Sequence, residues 1–381
     1  MSVCMEETKT QKKQKLLFLV TEDWYFVSHR LSIAIAAREA GYEVAVATRV
    51  AKHADIIQKA GIRLIPFELS RRAGNPMLEF WALVKLYRRE KPDIVHHVAL
   101  KLVLYGALAV RFANISAQVN AVTGLGWLYI SNNPIVRFGC PLITWFLAHL
   151  LNFKNSRVIV QNPDDEELLA KAGVLPSRIR MVQGVGVDTD KFLPASELKG
   201  PVCVVLAARL LWDKGVGEFV DAARDLKQKV NNVRFILVGN PDLDNPASIL
   251  EETIRAWEKE NIVEWWGHHK EMVPVFHSAH IVCLPSYREG LPKVLIEAAS
   301  CGLPIVSTDV PGCREIVRDD YNGILVPKSD SVSLSNALLR LIEDPDLRAK
   351  MGKRGRELVL DKFSSKHVIL KTLNIYNEFI K

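Results

Sequence analysis

The feature that most restricts what this chain can become is a rhythm in its hydrophobicity. Short, continuously apolar runs alternate with helix-like stretches along nearly the whole length. KLLFLV, YEVAVAT, RLIPFEL, DIVHHV, AQVNAV and RVIVQN stand in the first half, and VCVVLAA, VRFILVG, IVEWW, HIVCLP and LPIVSTD in the second. Runs that are apolar at every position, rather than at every other one, belong to strands covered on both faces. Such strands imply parallel sheets with helices packed on each side. A chain of 381 residues, 49% hydrophobic and 24% charged, has material for two cores of ordinary globular composition. The expected architecture is α/β: two doubly wound, Rossmann-like domains facing a cleft at the carboxyl ends of their strands, where open α/β sheets bind ligands.

Local punctuation divides the chain. Asn162 has the character of a helix N-cap, with Pro163 at the first helical position, acids in the first turn and Gly173 as a stop. LPASELKGP, residues 193–201, is the best linker. The expected organisation is a flexible leader over 1–15, a first Rossmann-like domain over 16–195 and a second over 200–362. A closing amphipathic helix over 363–381 is expected to pack back on the first domain. The leader is polar and lysine-rich and lacks the apolar run and cleavage site of a secretory signal.

Several function classes fall away at this level. The six cysteines show no C-x-x-C spacing, so neither a zinc site nor a disulfide framework is indicated, and free thiols in a reducing cytoplasm are the expectation. The apolar stretch Cys140 to Leu151 is about a dozen residues long, short of the roughly 20 needed to cross a bilayer. It reads as a buried or an interfacial helix. Residues 1–193 carry 25 Lys and Arg against 17 Asp and Glu, a net +8, whereas residues 194–381 are at −1. That asymmetry suits anionic substrates or an anionic membrane surface. No dense basic run with interleaved aromatics points to nucleic acid.

The chemistry concentrates in the second half. In HIVCLPSYREGLPKVLIEAASCG, a strand, a loop and a helix follow one another, placing Glu289 and Gly290 in the loop and Glu297 inside the helix. Eight residues of helix advance about 12 Å with a residual rotation of about 80°. The two carboxylates therefore do not form a hydrolase-type acid/base pair, whose members sit about 5 to 9.5 Å apart across one bond. Instead, the helix start aims unpaired N–H groups and a positive dipole end at the cleft, where an anion is the expected guest. Gly290 permits close backbone approach, and Glu297 suits hydroxyl groups farther along the ligand. In VVLAARLLWDKGVGEF, Arg209 at a strand end offers a planar fork and Lys214 a mobile charge. Together they suit a diphosphate.

These segments carry a resemblance. ARLLWDKGVGEF, PSYREGLPKVLIEAASCGLPIVSTDVPGCREIV and NGILVP resemble the carboxyl-terminal domain of retaining family-four glycosyltransferases with the GT-B fold. HRLSIAIAAREAGYEVAVAT, DIVHHVALK, GLGWLY and QGVGVDTDKF are similar to the first domain of the bacterial envelope-polysaccharide members. The resemblance implies that Arg209 and Lys214 bind the diphosphate of a nucleotide-sugar donor, that Glu289 contacts the donor sugar and that Glu297 holds ribose hydroxyls. It further implies phosphate contacts from the backbone around Gly290 and Leu291, and His268 beside the nucleobase. No metal or other cofactor is expected, since guanidinium, ammonium and helix dipole meet the charge on the leaving diphosphate.

The first half departs from the family pattern in two places: TEDWYFVSHR replaces a glycine-rich turn, and Thr123 stands where many members have a histidine. Thr123 and His97, with His29, His96 and Lys101, are the acceptor-side candidates. The expected function is retaining transfer from a nucleotide sugar, read as a UDP-sugar, to a lipid-linked or growing saccharide in cell-envelope polysaccharide biosynthesis. The expected place is the cytoplasm, peripheral on the inner face of the plasma membrane. The alternative is a sugar-nucleotide epimerase on the same scaffold. A D-x-D metal site at Asp242 and Asp244 is disfavoured, because the pair sits in an acidic loop after FILVGN.

Overall fold

The computed structural model describes residues 13–68, 75–122, 144–195 and 198–380. Among them are two parallel sheets. The first runs β3-β2-β1-β4-β5-β6-β7, from strands β1 Lys15–Glu22, β2 Glu43–Arg49, β3 Arg63–Pro66, β4 Ile94–Val98, β5 Ala117–Ala121, β6 Ser156–Val160 and β7 Ile179–Met181. The second runs β10-β9-β8-β11-β12-β13, from β8 Val202–Ala207, β9 Val233–Val238, β10 Glu264–Gly267, β11 Ile281–Leu284, β12 Ile305–Thr308 and β13 Gly323–Val326. Every pairing is parallel. The central strands β4 and β5 are buried at every position, as continuous apolar runs require. β7 is only three residues long and half-exposed, too short to leave a hydrophobic signature.

In each sheet the strand order reverses once, between β1 and β4 in the first and between β8 and β11 in the second. Such switch points open a crevice at the carboxyl ends of the strands. Helices fill both faces of each sheet. Asn162 caps the helix Pro163–Lys171 by accepting from Asp165 N at 2.8 Å, as its residue type and the following proline lead one to expect.

The chain returns to the first sheet at its end. Val187 and Ser364 form a parallel bridge, and the helix Ser365–Asn377 then packs on the helix Leu31–Glu39. It adds Val368, Ile375 and Tyr376 to the core containing Phe18, Phe26 and Ile33. The Tyr376 hydroxyl lies 2.6 Å from His96 Nδ1, and Tyr42 donates to Asn377 Oδ1 at 3.1 Å. No helix among the described residues is long and apolar enough to cross a membrane. Of the Cys140 to Leu151 stretch, residues 144–151 are described and helical. They bury Leu147, Leu150 and Leu151 and expose Trp145 and Phe146.

Candidate functional site

The site is built at the switch point of the second sheet. Ala208 N donates to Val238 O and Leu210 N to Asn240 O, both at 3.0 Å, carrying Arg209 past the end of β8 beside the end of β9. Gly239 makes that approach possible: its φ is +133°, and a Cβ there would lie 1.8 Å from the Ala208 carbonyl oxygen. Arg209 Nη1 donates to Asp242 Oδ2 at 2.7 Å. Lys214 closes a single 3-10 turn, Trp212–Lys214. Gly215 follows at φ +71°, where a Cβ would meet Pro285 O at 2.1 Å. This contact lays the Lys214 turn against the loop after β11. Lys214 Nζ reaches Glu289 Oε1 at 2.5 Å, and Ser286 Oγ donates to the same oxygen at 2.7 Å.

The helix Lys293–Ser300 starts from Pro292, which is extended, and no side chain caps it. Leu295 N donates to Pro292 O at 3.1 Å, and no side chain satisfies the N–H groups before it, at the positive end of the helix dipole. Glu297 lies one turn in and is only 6% exposed. Burial pushes its carboxyl above the usual range, and the ammonium of Lys293, 3.0 Å away, opposes that rise.

Two adjoining cavities open between the domains. The smaller, of about 570 Å³, is lined by Arg209, Lys214, Glu289, Gly290 and Leu291 on one side and by Thr21, Trp24, Tyr25 and Ala99 on the other. The larger, of about 830 Å³, holds Glu297, His268, Asp188 and Lys270. Both share Arg209, Lys293, His29 and Val185, so they are lobes of one crevice. The structure gathers the expected donor-side residues there and gives Glu289 and Glu297 separate lobes. Gln161, past the end of β6, and Ala99, past the end of β4, line the same crevice. Ala99 has φ +79° and ψ 149°, a region where an L-residue is strained by about 1–3 kcal/mol and which tends to cluster at ligand sites.

The acceptor-side candidates are sorted by their surroundings. His97 does not face the crevice. It is fully buried behind β4, with Nδ1 2.7 Å from Asn120 Oδ1 and Nε2 2.9 Å from the Tyr87 hydroxyl, and burial pushes its pKa down to about 4. It is a core histidine because the strand's two-residue period turns it into the layer beneath helix Leu100–Ala113. His96 is also buried, against Tyr376, and Lys101 pairs with Glu79 at 2.7 Å. His29 lines both lobes, while Thr123 lies outside the described residues. Asp242 serves as the partner of Arg209. Among the described residues no group of three or more metal-ligating side chains is assembled. Lys293, which lines both lobes, was not singled out from the sequence, although its i−4 spacing from Glu297 on one helix face is a readable signal.

Comparisons with known proteins converge. Residues 15–162 match the family model "Glycosyl transferase 4-like" and residues 188–358 match "Glycosyl transferases group 1". The chain is 29% identical over 372 residues to the N,N'-diacetylbacillosaminyl-diphospho-undecaprenol alpha-1,3-N-acetylgalactosaminyltransferase of Campylobacter jejuni, covering 92% of this chain and 95% of that one. It is 25% identical over 312 residues to the UDP-Gal:alpha-D-GlcNAc-diphosphoundecaprenol alpha-1,3-galactosyltransferase of Escherichia coli, with 78% and 79% covered. Among solved structures it is similar to HepE from Anabaena in complex with UDP, with a TM-score of 0.78 at 19% identity over 96% of this chain and 100% of that one. With two family models covering most of its length, and with two parallel Rossmann-like sheets facing a shared crevice, the chain belongs to the retaining family-four glycosyltransferases of GT-B fold.

Proposed function

We propose that this glycosyltransferase moves a sugar, with retained anomeric configuration, from a UDP-sugar to a saccharide carried on a polyprenyl diphosphate lipid, in the assembly of a cell-envelope polysaccharide. The observation that carries the reading is the convergence of Arg209, Lys214 and the uncapped start of helix Lys293–Ser300 on one lobe that also holds Glu289. Three positive elements around one concavity suit a diphosphate. In the resting structure each cation rests on a carboxylate, Arg209 on Asp242 and Lys214 on Glu289. A bound diphosphate takes over those cations, freeing Glu289 to accept from donor sugar hydroxyls.

Glu297 and His268 line the larger lobe and Gly290 and Leu291 the smaller; in this reading Glu297 accepts from ribose hydroxyls, His268 meets the base, and Gly290 and Leu291 offer backbone to the phosphate. In the transfer step the bond from the anomeric carbon to the diphosphate oxygen breaks as the bond to the acceptor oxygen forms on the same face. The acceptor's proton passes to the departing diphosphate, so the balance calls for no protein base. The cations and the helix start meet the charge that develops there, a role they fill without a metal ion.

The lipid-borne acceptor places the enzyme at a membrane surface. Its basic first half supports an anionic one, together with the exposed Met77, Leu78, Trp81 and Phe112, the last two in ring contact at 6.1 Å. The test is a thermal-shift screen of nucleotide sugars, then turnover of the best binder with lipid-linked acceptors in anionic and neutral vesicles. Expected are stabilisation by UDP-sugars, UDP release only with acceptor, and faster turnover on anionic vesicles at low salt. Sugar interconversion or UDP release without acceptor favours an epimerase and sinks transfer. Equal rates on both vesicle types remove the anionic surface alone.

A further inference from the structure

The donor groups come almost entirely from the second sheet, leaving the opposite wall of the smaller lobe without a role. That wall lies at the other switch point, between β1 and β4, and among the described residues it carries no Lys, Arg, Asp or Glu. Its aromatic content comes from the helix Asp23–His29, beside the polar Thr21 and Gln161. Trp24 is 37% exposed, Tyr25 is half-buried, and both line the lobe with His29. Their rings form a ladder: Trp24 meets Tyr25 edge-on at 5.7 Å, and Tyr25 stacks on His29 at 4.2 Å with parallel planes.

The ladder is held rigidly from behind. Asp23 is fully buried and its Oδ2 accepts from Ala51 N at 2.7 Å and His53 N at 3.0 Å, while Phe26 is buried against Phe18. Burial and the charges of Arg30 and Lys293 push the pKa of His29 down to about 3, so its ring stays neutral at any working pH. A rigid, uncharged, aromatic wall facing a charged one is unsuited to phosphate. It suits the apolar C–H face of a pyranose, whose hydroxyl edges then turn toward the polar wall.

We infer that Trp24 and Tyr25 form a stacking platform for the acceptor's terminal pyranose ring, seating it in the smaller lobe opposite Glu289. This rests on the transfer reading for the name "acceptor", but the platform can be tested without turnover. The probe is an N-acetylhexosamine diphosphate bearing a short prenyl chain, added to the full-length protein saturated with UDP and followed by saturation-transfer NMR. The ring C–H protons are expected to receive most of the saturation. Trp24→Ala and Tyr25→Ala are each expected to weaken probe binding about tenfold, Trp24→Phe to restore most of it, and UDP affinity to hold in all three. The platform is overturned by probe affinity unchanged in both alanine variants, by no ring saturation in the wild type, or by probe and UDP affinities falling in parallel in the Phe variant as well. Failure of every UDP-sugar to turn over sinks the transfer reading instead, whatever the probe does.

Discussion

At the scale of single residues, Lys214 shows how one side chain takes its meaning from its neighbours. Its ammonium is mostly buried and paired with Glu289, so it waits in the crevice already held and partly dehydrated. A charge-assisted contact of this kind is worth about 1.5–3 kcal/mol. Lys214→Ala is therefore expected to weaken UDP binding roughly ten- to hundredfold by calorimetry, and unchanged affinity would remove Lys214 from the phosphate site. Glu289 and Glu297 were legible in the sequence as two carboxylates too far apart to share one bond, and they do occupy different lobes. His97 was not legible in the same way. A histidine at a strand's end has the same one-dimensional context whether its ring turns to the cleft or to the core, and only the packing of Tyr87 and Asn120 around it decides.

At the scale of elements, β4 is the informative strand. Its consecutive histidines point to opposite faces: His96 stacks on Phe18 at 5.1 Å, and His97 packs where a Cβ on Gly106 would come within 2.4 Å of its ring. Burial lowers both pKa values, His97 to about 4 and His96 well below the ordinary 6.5. The unfolded chain protonates near 6.5 while the folded one stays neutral. Stability from these groups is thus complete above pH 6.5 and is lost as pH falls. By pH 5 His97 is expected to subtract about 2 kcal/mol, and His96 acts in the same direction. Denaturant titrations at pH 7.5 and pH 5 measure this, and His97→Gln should shrink the difference by about 2 kcal/mol. An unchanged midpoint would mean that these rings are not held neutral. No pattern of apolar residues announces that behaviour, because it follows from how completely two helix layers close over the strand.

Over the whole molecule, the domains are joined at a buried carboxylate. Asp165, in the helix after β6, is 1% exposed and accepts from Arg288 at 3.0 Å, while the neighbouring Asn162 donates to Gly290 O at 2.7 Å. These contacts grip both sides of Glu289 from the opposite domain. Arg356 ties the chain that leads into the second domain to that domain's core, donating to the carbonyls of Phe192 and Thr189. Removing one partner of a buried pair costs about 3–5 kcal/mol, and less here because Arg288 keeps some solvent. Asp165→Ala is expected to lower unfolding free energy by about 2–3 kcal/mol and to raise the donor KM severalfold. A variant with wild-type stability and wild-type donor KM would show that the seam does not position Glu289.

The sequence by itself determined the layer architecture and the grouping of Arg209, Lys214, Glu289 and Glu297 at one crevice. Continuously apolar runs can be satisfied only by strands covered on both faces, and the spacings from Arg209 to Lys214 and from Glu289 to Glu297 are short enough for local geometry to constrain them. The tertiary structure alone decided which first-domain groups line the crevice, how Asp165 reaches Arg288 across 123 positions, and where the last helix returns to dock. Those contacts join segments far apart in the chain, and their geometry is set by how two finished cores close on one another, which no local pattern encodes.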